Sequence, residues 1–153
     1  TQQVRDDDGN RIKGRPEMIS EFYEGFGIDQ VFKAVHAKKE GPIDYAVVGL
    51  GTGSLACQRR PGDKLTYYEI DPDIVRIASD PALFNFVSEC APDAPILIGD
   101  ARQKLNAAPD ASYDLIMIDA FIGAAIPVHL LTREAIALYQ RKLKPGGLIA
   151  MHI

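Results

Sequence analysis

The feature that most constrains the fold of this chain is a regular alternation of short apolar runs with amphipathic segments. Continuous apolar runs are typical of strands buried on both faces, as in a parallel sheet. Five runs fit this description: 45–48, 64–70, 95–98, 113–119 and 148–153. Helical spacing or helix start and stop signals mark the segments between and around them: 28–40, 54–60, 72–79, 82–90, 101–107 and 132–143. The alternation predicts a doubly wound α/β fold with helices on both faces of a parallel sheet.

The predicted domain is residues 28–153, and residues 1–27 are predicted to be a lead-in segment, polar up to Pro16, with a hairpin signal at Asp8-Gly9. Part of this segment matches the ligand positions of a calcium-binding loop, namely Asp6, Asp8, Asn10 and Glu17. Arg11 stands where that loop requires glycine for its sharp turn, so we interpret the segment as a solvated turn. The chain begins at Thr1 and stops at Ile153 inside an apolar run. We therefore expect an excerpt of a longer chain, or a partner that covers the last strand.

The composition excludes several classes of protein. Hydrophobic residues make up 46% of the chain and charged residues 25%, which is typical of a globular domain. The net charge of −4 argues against a nucleic-acid-binding surface and is compatible with a cationic substrate. No apolar run reaches the about 18 residues of a membrane span, and no signal peptide is recognisable. Cys57 and Cys90 are expected to be unpaired core or helix positions, which favours a reducing, cytoplasmic location.

Candidate binding residues follow the first two predicted strands, because parallel sheets bind ligands at the carboxyl ends of their strands. Residues 49–53 (GLGTG) form a loop whose glycines permit positive φ and close approach of the backbone to a ligand. Ser54 stands where a dinucleotide fingerprint has Gly or Ala. Glu69, about 20 residues beyond the loop, is placed to accept hydrogen bonds from ribose hydroxyls. A tight turn and a solvated strand-end acid are the structural alternatives.

Two further acids follow the third and fourth strands. Asp100 is placed to accept from an adenine amino group, and it can equally cap the next helix. Asp119 follows the strand expected beside the first one, so it should face the same crevice as Gly51. A carboxylate at the solvent-accessible end of a buried strand is suited to act as a general base or a cation ligand, and a cap of the following loop is the structural alternative.

Together these motifs resemble the class I S-adenosylmethionine-dependent methyltransferase fold, a Rossmann-like sheet. They are GLGTG at 49–53, EID at 69–71, GDA at 99–101, YDLIMID at 113–119 and LKPGG at 143–147. Within that fold, the resemblance is strongest to the spermidine synthase (aminopropyltransferase) branch, especially to domains fused to transporter-like membrane regions. The residues that indicate this branch are Pro72, Arg102 and the segment 126–134 (IPVHLLTRE). The resemblance spans 28–153 and implies a larger sheet whose last strands are missing here.

The resemblance also implies roles for individual residues. The expected cofactor-binding residues follow the first three strands: Gly49, Gly51, Thr52, Gly53, Glu69, Asp100 and Ala101. The glycines would approach the methionine-derived part and the ribose of decarboxylated S-adenosylmethionine. Glu69 would bind the ribose, and Asp100 with Ala101 would bind the adenine. Asp119 would hold and deprotonate the attacking amine.

Two positions depart from the pattern of the family. Thr52 replaces an Asp that faces the aminopropyl amine, and Ile122 replaces a second acid that binds the polyamine. Each lost charged hydrogen bond costs roughly 1.5–3 kcal/mol, so we expect the nucleotide half of the site to be kept and the amine half to be altered. Tyr23 is a poorly matching substitute for the family's substrate-side Tyr.

The favoured function is transfer of an aminopropyl group from decarboxylated S-adenosylmethionine to a polyamine-type amine. An S-adenosylmethionine-dependent methyltransferase and a non-catalytic nucleotide-binding domain are the alternatives, and a nicotinamide-dependent dehydrogenase is disfavoured by Ser54. The expected partner is a small-molecule amine, with no nucleic acid and no membrane span in this chain, and a homodimer is left open. No metal is required, because His36, His129 and His152 are expected to be scattered, with His36 exposed or capping.

Overall fold

Five parallel strands form one sheet in the order β3-β2-β1-β4-β5 in the computed structural model. The strands are β1 (Asp44–Val48), β2 (Lys64–Glu69), β3 (Ile96–Ile98), β4 (Tyr113–Ile118) and β5 (Leu143–Met151). The described residues are 8–10, 14–16, 24–121 and 127–152. This arrangement confirms the predicted doubly wound α/β fold, including the placement of the fourth strand beside the first.

In the part of the chain that the structure describes, five α-helices connect or flank these strands. They are α1 (Gly27–Lys39), α2 (Pro72–Ser79), α3 (Phe86–Cys90), α4 (Ala101–Ala107) and α5 (Arg133–Lys142). Short 3₁₀ helices occupy Ser54–Gln58, directly after the glycine loop, and Val128–Leu130. Asp71 caps α2 and Thr132 caps α5, because each side chain accepts from a backbone N–H in the first turn. Among the described residues, none of the helices is long and apolar enough to cross a bilayer.

Alternate residues of the central strands pack into two apolar layers, one on each face of the sheet. Tyr45 and Val47 of β1 pack with α1, whereas Ala46 and Val48 pack on the face covered by α4 and α5. All four are less than 2% exposed, which explains why β1 reads as an unbroken apolar run. Alternate residues of β2 and β4 are buried on the two faces of the sheet in the same way. The carboxyl ends of the parallel strands therefore lie along one edge of the sheet.

Several predictions differ from the structure or lie beyond the described residues. The first helical segment after the glycine loop is a 3₁₀ helix, and α3 begins at Phe86, later than predicted. His36, expected to be exposed or capping, is buried at 7% exposure, with Nε2 2.8 Å from Asp63 Oδ2. The hairpin and the calcium-loop pattern lie mostly outside the described residues. Tyr23 and Ile122 lie entirely outside them.

Cys57 and Cys90 form a disulfide, which corrects the prediction that both are unpaired. Their Cα atoms lie 4.9 Å apart, and the bond joins the 3₁₀ helix after the glycine loop to α3. The sequence separation of 33 residues left no local signal for the pairing. A disulfide also removes the cysteine-based argument for a reducing compartment.

Replacing both cysteines with serine is expected to lower the free energy of unfolding by about 3–4 kcal/mol, the loop-entropy value for a loop of this length. Urea unfolding of the oxidised protein and of the double variant would measure the difference. Adding a reductant should bring the parent protein to the stability of the double variant and leave the variant unchanged. Equal stabilities of the oxidised parent and the variant would contradict the prediction.

Candidate functional site

A cavity of about 620 Å³ opens at the carboxyl ends of β1, β2, β3 and β4. The strand register explains why polar residues far apart in sequence meet there. Val48 pairs with Tyr68 and with Ile118, so Gly49, Glu69 and Asp119 each follow directly on a paired position. Predicted site residues that line the cavity are Gly49, Gly51, Thr52, Glu69, Asp100, Ala101 and Asp119. The sequence thus predicted a set of residues that the fold brings together.

The three loop glycines have different surroundings. A Cβ on Gly49 (φ +98°) would lie 2.4 Å from the Asp119 carbonyl oxygen, so glycine lets this loop pack against the end of β4. Gly51 (φ +53°) has nothing within 4 Å of its Cβ position and is exposed towards the cavity. A Cβ on Gly53 (φ +83°) would meet Val87 of α3, and Gly53 is not among the described residues that line the cavity. Gly53 therefore supports the loop from behind.

Thr52 lines the cavity, but its hydroxyl oxygen is buried and has no hydrogen-bond partner among the described residues. This position was singled out because the resembling family carries an acid there. An unpaired buried hydroxyl costs about 1–3 kcal/mol. Thr52 remains a predicted ligand contact through the atoms that line the cavity, and not through this buried oxygen.

Glu69 is held rigidly at the end of β2. Its side chain is 8% exposed, and its two carboxylate oxygens accept from the backbone N–H groups of Leu50 at 2.8 Å and Asp71 at 2.9 Å. The bond to Leu50 ties the acid to the glycine loop. Each carboxylate oxygen has a second lone pair, so the group can also accept from a ligand hydroxyl.

Asp100 caps α4 and lines the cavity, so its position is compatible with both roles that the sequence left open. Its Oδ1 accepts from Gln103 N at 3.0 Å and so caps α4, while its Oδ2 lies 3.4 Å from His129 Nε2. Both residues line the cavity, and Ala101 beside them is buried. The carboxylate therefore caps the helix and faces the cavity at the same time.

Asp119 lies at the end of β4 with its Oδ1 2.7 Å from Nδ1 of His152. The two side chains are 15% and 24% exposed. His129 and His152 both line the cavity, so the expectation that the histidines are scattered is wrong for these two. Phe121 lies against His152, with ring centroids 5.3 Å apart and the planes at 81°. Sequence reasoning missed these contacts. The predicted last strand ran through His152, so no signal in the sequence pointed to them.

The charges around the cavity are of one sign. Four carboxylates line it, and no Lys or Arg does so among the residues that the structure describes: the acids are Glu69, Asp71, Asp100 and Asp119. Such a lining favours cationic ligands over anionic ones. Tyr68 also lines the cavity, and burial, together with a 2.6 Å hydrogen bond to Tyr113, raises the pKa of its hydroxyl. Across the described residues, no group of three or more His, Cys, Asp or Glu side chains is placed to bind a metal.

Sequence comparison relates the chain to aminopropyltransferases. Polyamine aminopropyltransferase 2 of Streptomyces coelicolor is 33% identical over 126 residues, which cover 77% of this chain and 23% of the relative. Polyamine aminopropyltransferase of Vibrio vulnificus is 32% identical over 113 residues, covering 71% of this chain and 36% of the relative. The chain therefore spans about a quarter to a third of the length of these relatives. Proteins named as methyltransferases match over similar stretches, and no family model matches the chain.

Structural comparison supports the same fold. Spermidine synthase from Thermotoga maritima superposes with a TM-score of 0.65 at 18% sequence identity, over 90% of this chain and 46% of that protein. The chain thus has the class I methyltransferase-like fold, and it resembles the spermidine synthase branch of that fold, as the sequence motifs predicted.

Proposed function

We propose that residues 28–153 form the nucleoside-binding part of a transferase that moves an aminopropyl group from decarboxylated S-adenosylmethionine to an amine. The observation that carries the proposal is the acidic lining of the cavity at the strand ends. A sulfonium compound and an amine are both cationic, so each would be attracted there. A dinucleotide carries an anionic pyrophosphate, which normally requires N–H groups at a helix N-terminus or basic side chains. The similarity to aminopropyltransferases supports this transfer over other reactions of sulfonium compounds.

The cavity offers a distinct place for each part of such a substrate. Glu69, at the end of β2, would accept from the ribose hydroxyls. Asp100, at the end of β3, would accept from the adenine amino group. The exposed backbone at Gly51 leaves room for the sulfonium arm. The acceptor amine would enter beside Asp119, where its proton is lost.

The activation of the substrate comes from the sulfonium, which makes the neighbouring methylene carbon electrophilic. The chain has to hold the amine in line with that carbon and to keep it unprotonated. An amine with an ordinary pKa near 10.4 is almost fully protonated at pH 7, so a proton acceptor is required at this end of the cavity. We therefore propose that the chemistry takes place at the end of the cavity formed by β4 and β5.

Calorimetry with decarboxylated S-adenosylmethionine, S-adenosylmethionine and methylthioadenosine tests the proposal. We expect the decarboxylated compound and methylthioadenosine to bind, with release of methylthioadenosine when an amine is added. Transfer of a methyl group from S-adenosylmethionine instead would favour the methyltransferase alternative. Binding without turnover of either compound would favour a non-catalytic domain. An absence of binding with all three would overturn the proposal.

Replacing Glu69 with glutamine is expected to weaken methylthioadenosine binding about 10- to 100-fold, since a charged hydrogen bond contributes roughly 1.5–3 kcal/mol. Asp71→Asn is a matched control, because Asp71 lines the same cavity and asparagine also caps helices well. Titration calorimetry would compare the two variants with the parent. Equal affinities of Glu69→Gln and the parent would remove Glu69 from the ribose site.

A further inference from the structure

The ends of β4 and β5 bring a carboxylate and an imidazole into direct contact. Ile118 pairs with Met151, and the backbone N–H of His152 donates to the Ile118 carbonyl oxygen at 3.0 Å. Asp119 and His152 are therefore at the same level of neighbouring strands. The 2.7 Å contact between Asp119 Oδ1 and His152 Nδ1 is thus set by the sheet register.

The position of the imidazole is restrained on a second side by an aromatic ring. Phe121 meets His152 edge to face, with ring centroids 5.3 Å apart. Asp119, Phe121 and His152 all line the cavity. A base whose orientation is fixed by a carboxylate is a recurrent arrangement for proton transfer at a reacting centre.

The contact to Asp119 also selects a tautomer. When Nδ1–H donates to the carboxylate, the lone pair of the neutral ring is on Nε2. The carboxylate then stabilises the imidazolium that forms when Nε2 takes up a proton. Asp119 thus orients the ring so that Nε2 is its proton-accepting atom.

We propose that His152 Nε2 takes the proton from the acceptor amine and that Asp119 positions the ring. This inference rests on the proposed function. The ammonium of the acceptor transfers one proton to Nε2, which leaves a neutral amine and an imidazolium paired with Asp119. The amine nitrogen then forms a bond to the methylene carbon while the carbon–sulfur bond breaks. The bonding electrons go to sulfur, and the products are a secondary ammonium and a neutral thioether.

Ordinary pKa values favour the ring over the carboxylate as acceptor. An amine has a pKa near 10.4, a histidine near 6.5 and an aspartate near 3.9. Proton transfer to imidazole is therefore less unfavourable than transfer to a carboxylate by about 2.6 pKa units. A site that relied on Asp119 alone would hold far less of its amine in the reactive form.

Other titratable side chains of the cavity have partners away from the ends of β4 and β5: Glu69, Asp71, Asp100 and His129. Glu69 accepts from two backbone N–H groups, and Asp71 accepts from the first turn of α2. Asp100 accepts from α4 and faces His129. His152 contacts Asp119 and the ring of Phe121 at the end of the cavity formed by β4 and β5.

The test is His152→Gln in the full chain, assayed by methylthioadenosine release from decarboxylated S-adenosylmethionine and an amine. Glutamine can still donate to Asp119 but cannot accept the proton. We expect turnover at pH 7 to fall about 10²- to 10⁴-fold, with methylthioadenosine affinity changed less than about 3-fold. In the parent, turnover should rise with pH as the imidazolium loses its proton. In the variant this rise should move towards the pKa of the amine itself.

His129→Gln is the matched control, since it removes the other histidine of the cavity on the Asp100 side. It should change the affinity for the nucleoside and leave the pH dependence of turnover in place. His152→Ala supplies a second measurement, because added imidazole should restore part of its activity if the lost group is a base.

The outcomes separate this inference from the function on which it rests. An active parent with a His152→Gln variant of unchanged turnover and pH profile overturns the role of His152 alone. A loss of nucleoside affinity in parallel with turnover, with no rescue by imidazole, overturns it as well, because that result indicates a structural role. A parent that neither binds nor turns over the sulfonium compounds overturns the proposed function, and this inference with it.

Discussion

Alanine at position 49 is expected to lower the free energy of unfolding by about 2–5 kcal/mol and to abolish nucleoside binding. The added Cβ would lie 2.4 Å from the Asp119 carbonyl oxygen and 2.9 Å from the Ala120 Cα. Both are backbone atoms, so no side-chain rotation can relieve the overlap. The φ of +98° adds strain for any residue with a Cβ. Separation of the loop from β4 would deform the cavity between them.

Gly51→Ala is the matched control for this substitution. It lies two residues along the same loop at φ +53°, with nothing within 4 Å of its Cβ position. We expect a loss of about 1–2 kcal/mol, the cost of the left-handed conformation alone. Chemical unfolding of both variants, followed by methylthioadenosine titration, would measure the difference. Equal losses at the two positions would show that close packing against β4 is not what position 49 requires.

Most of the fold was predictable because the buried strands are continuous apolar runs. The segments around 45–48 and 113–119 have this pattern, and both are central strands with both faces covered. The residues after these strands could be assigned to one cavity without coordinates, since parallel strands end at a common edge. Glu69 and Asp119 were found in this way and do line the cavity.

What the sequence could not supply was contact information that depends on register and on packing in three dimensions. The predicted last strand ran through His152, so this residue was placed inside a strand and not at the sheet edge beside Asp119. In the structure β5 ends at Met151, and the register puts His152 level with Asp119. The pairing of Cys57 with Cys90 likewise depends on where α3 packs. The different surroundings of Gly49 and Gly53 also depend on three-dimensional packing, because Gly49 lies against the end of β4 and Gly53 against Val87 of α3.

Asp119→Asn is expected to reduce turnover about 10²- to 10⁴-fold while methylthioadenosine affinity changes less than about 3-fold. Asparagine is nearly the same size, and its amide oxygen can still accept from His152 Nδ1. The substitution therefore keeps the contact and removes the negative charge that stabilises an imidazolium. Single-turnover release of methylthioadenosine would measure the chemical step, and calorimetry would measure binding.

Asp100→Asn is the control for this second variant, because it neutralises an acid at the opposite end of the same cavity. Asparagine still caps α4, so its effect should be confined to nucleoside affinity, with turnover at saturation retained. Opposite responses of the two variants would place binding at the end of β3 and proton transfer at the ends of β4 and β5. Unchanged turnover in Asp119→Asn would remove the carboxylate from the reaction. Turnover lost in both variants to the same degree would show that the two ends of the cavity do not act separately.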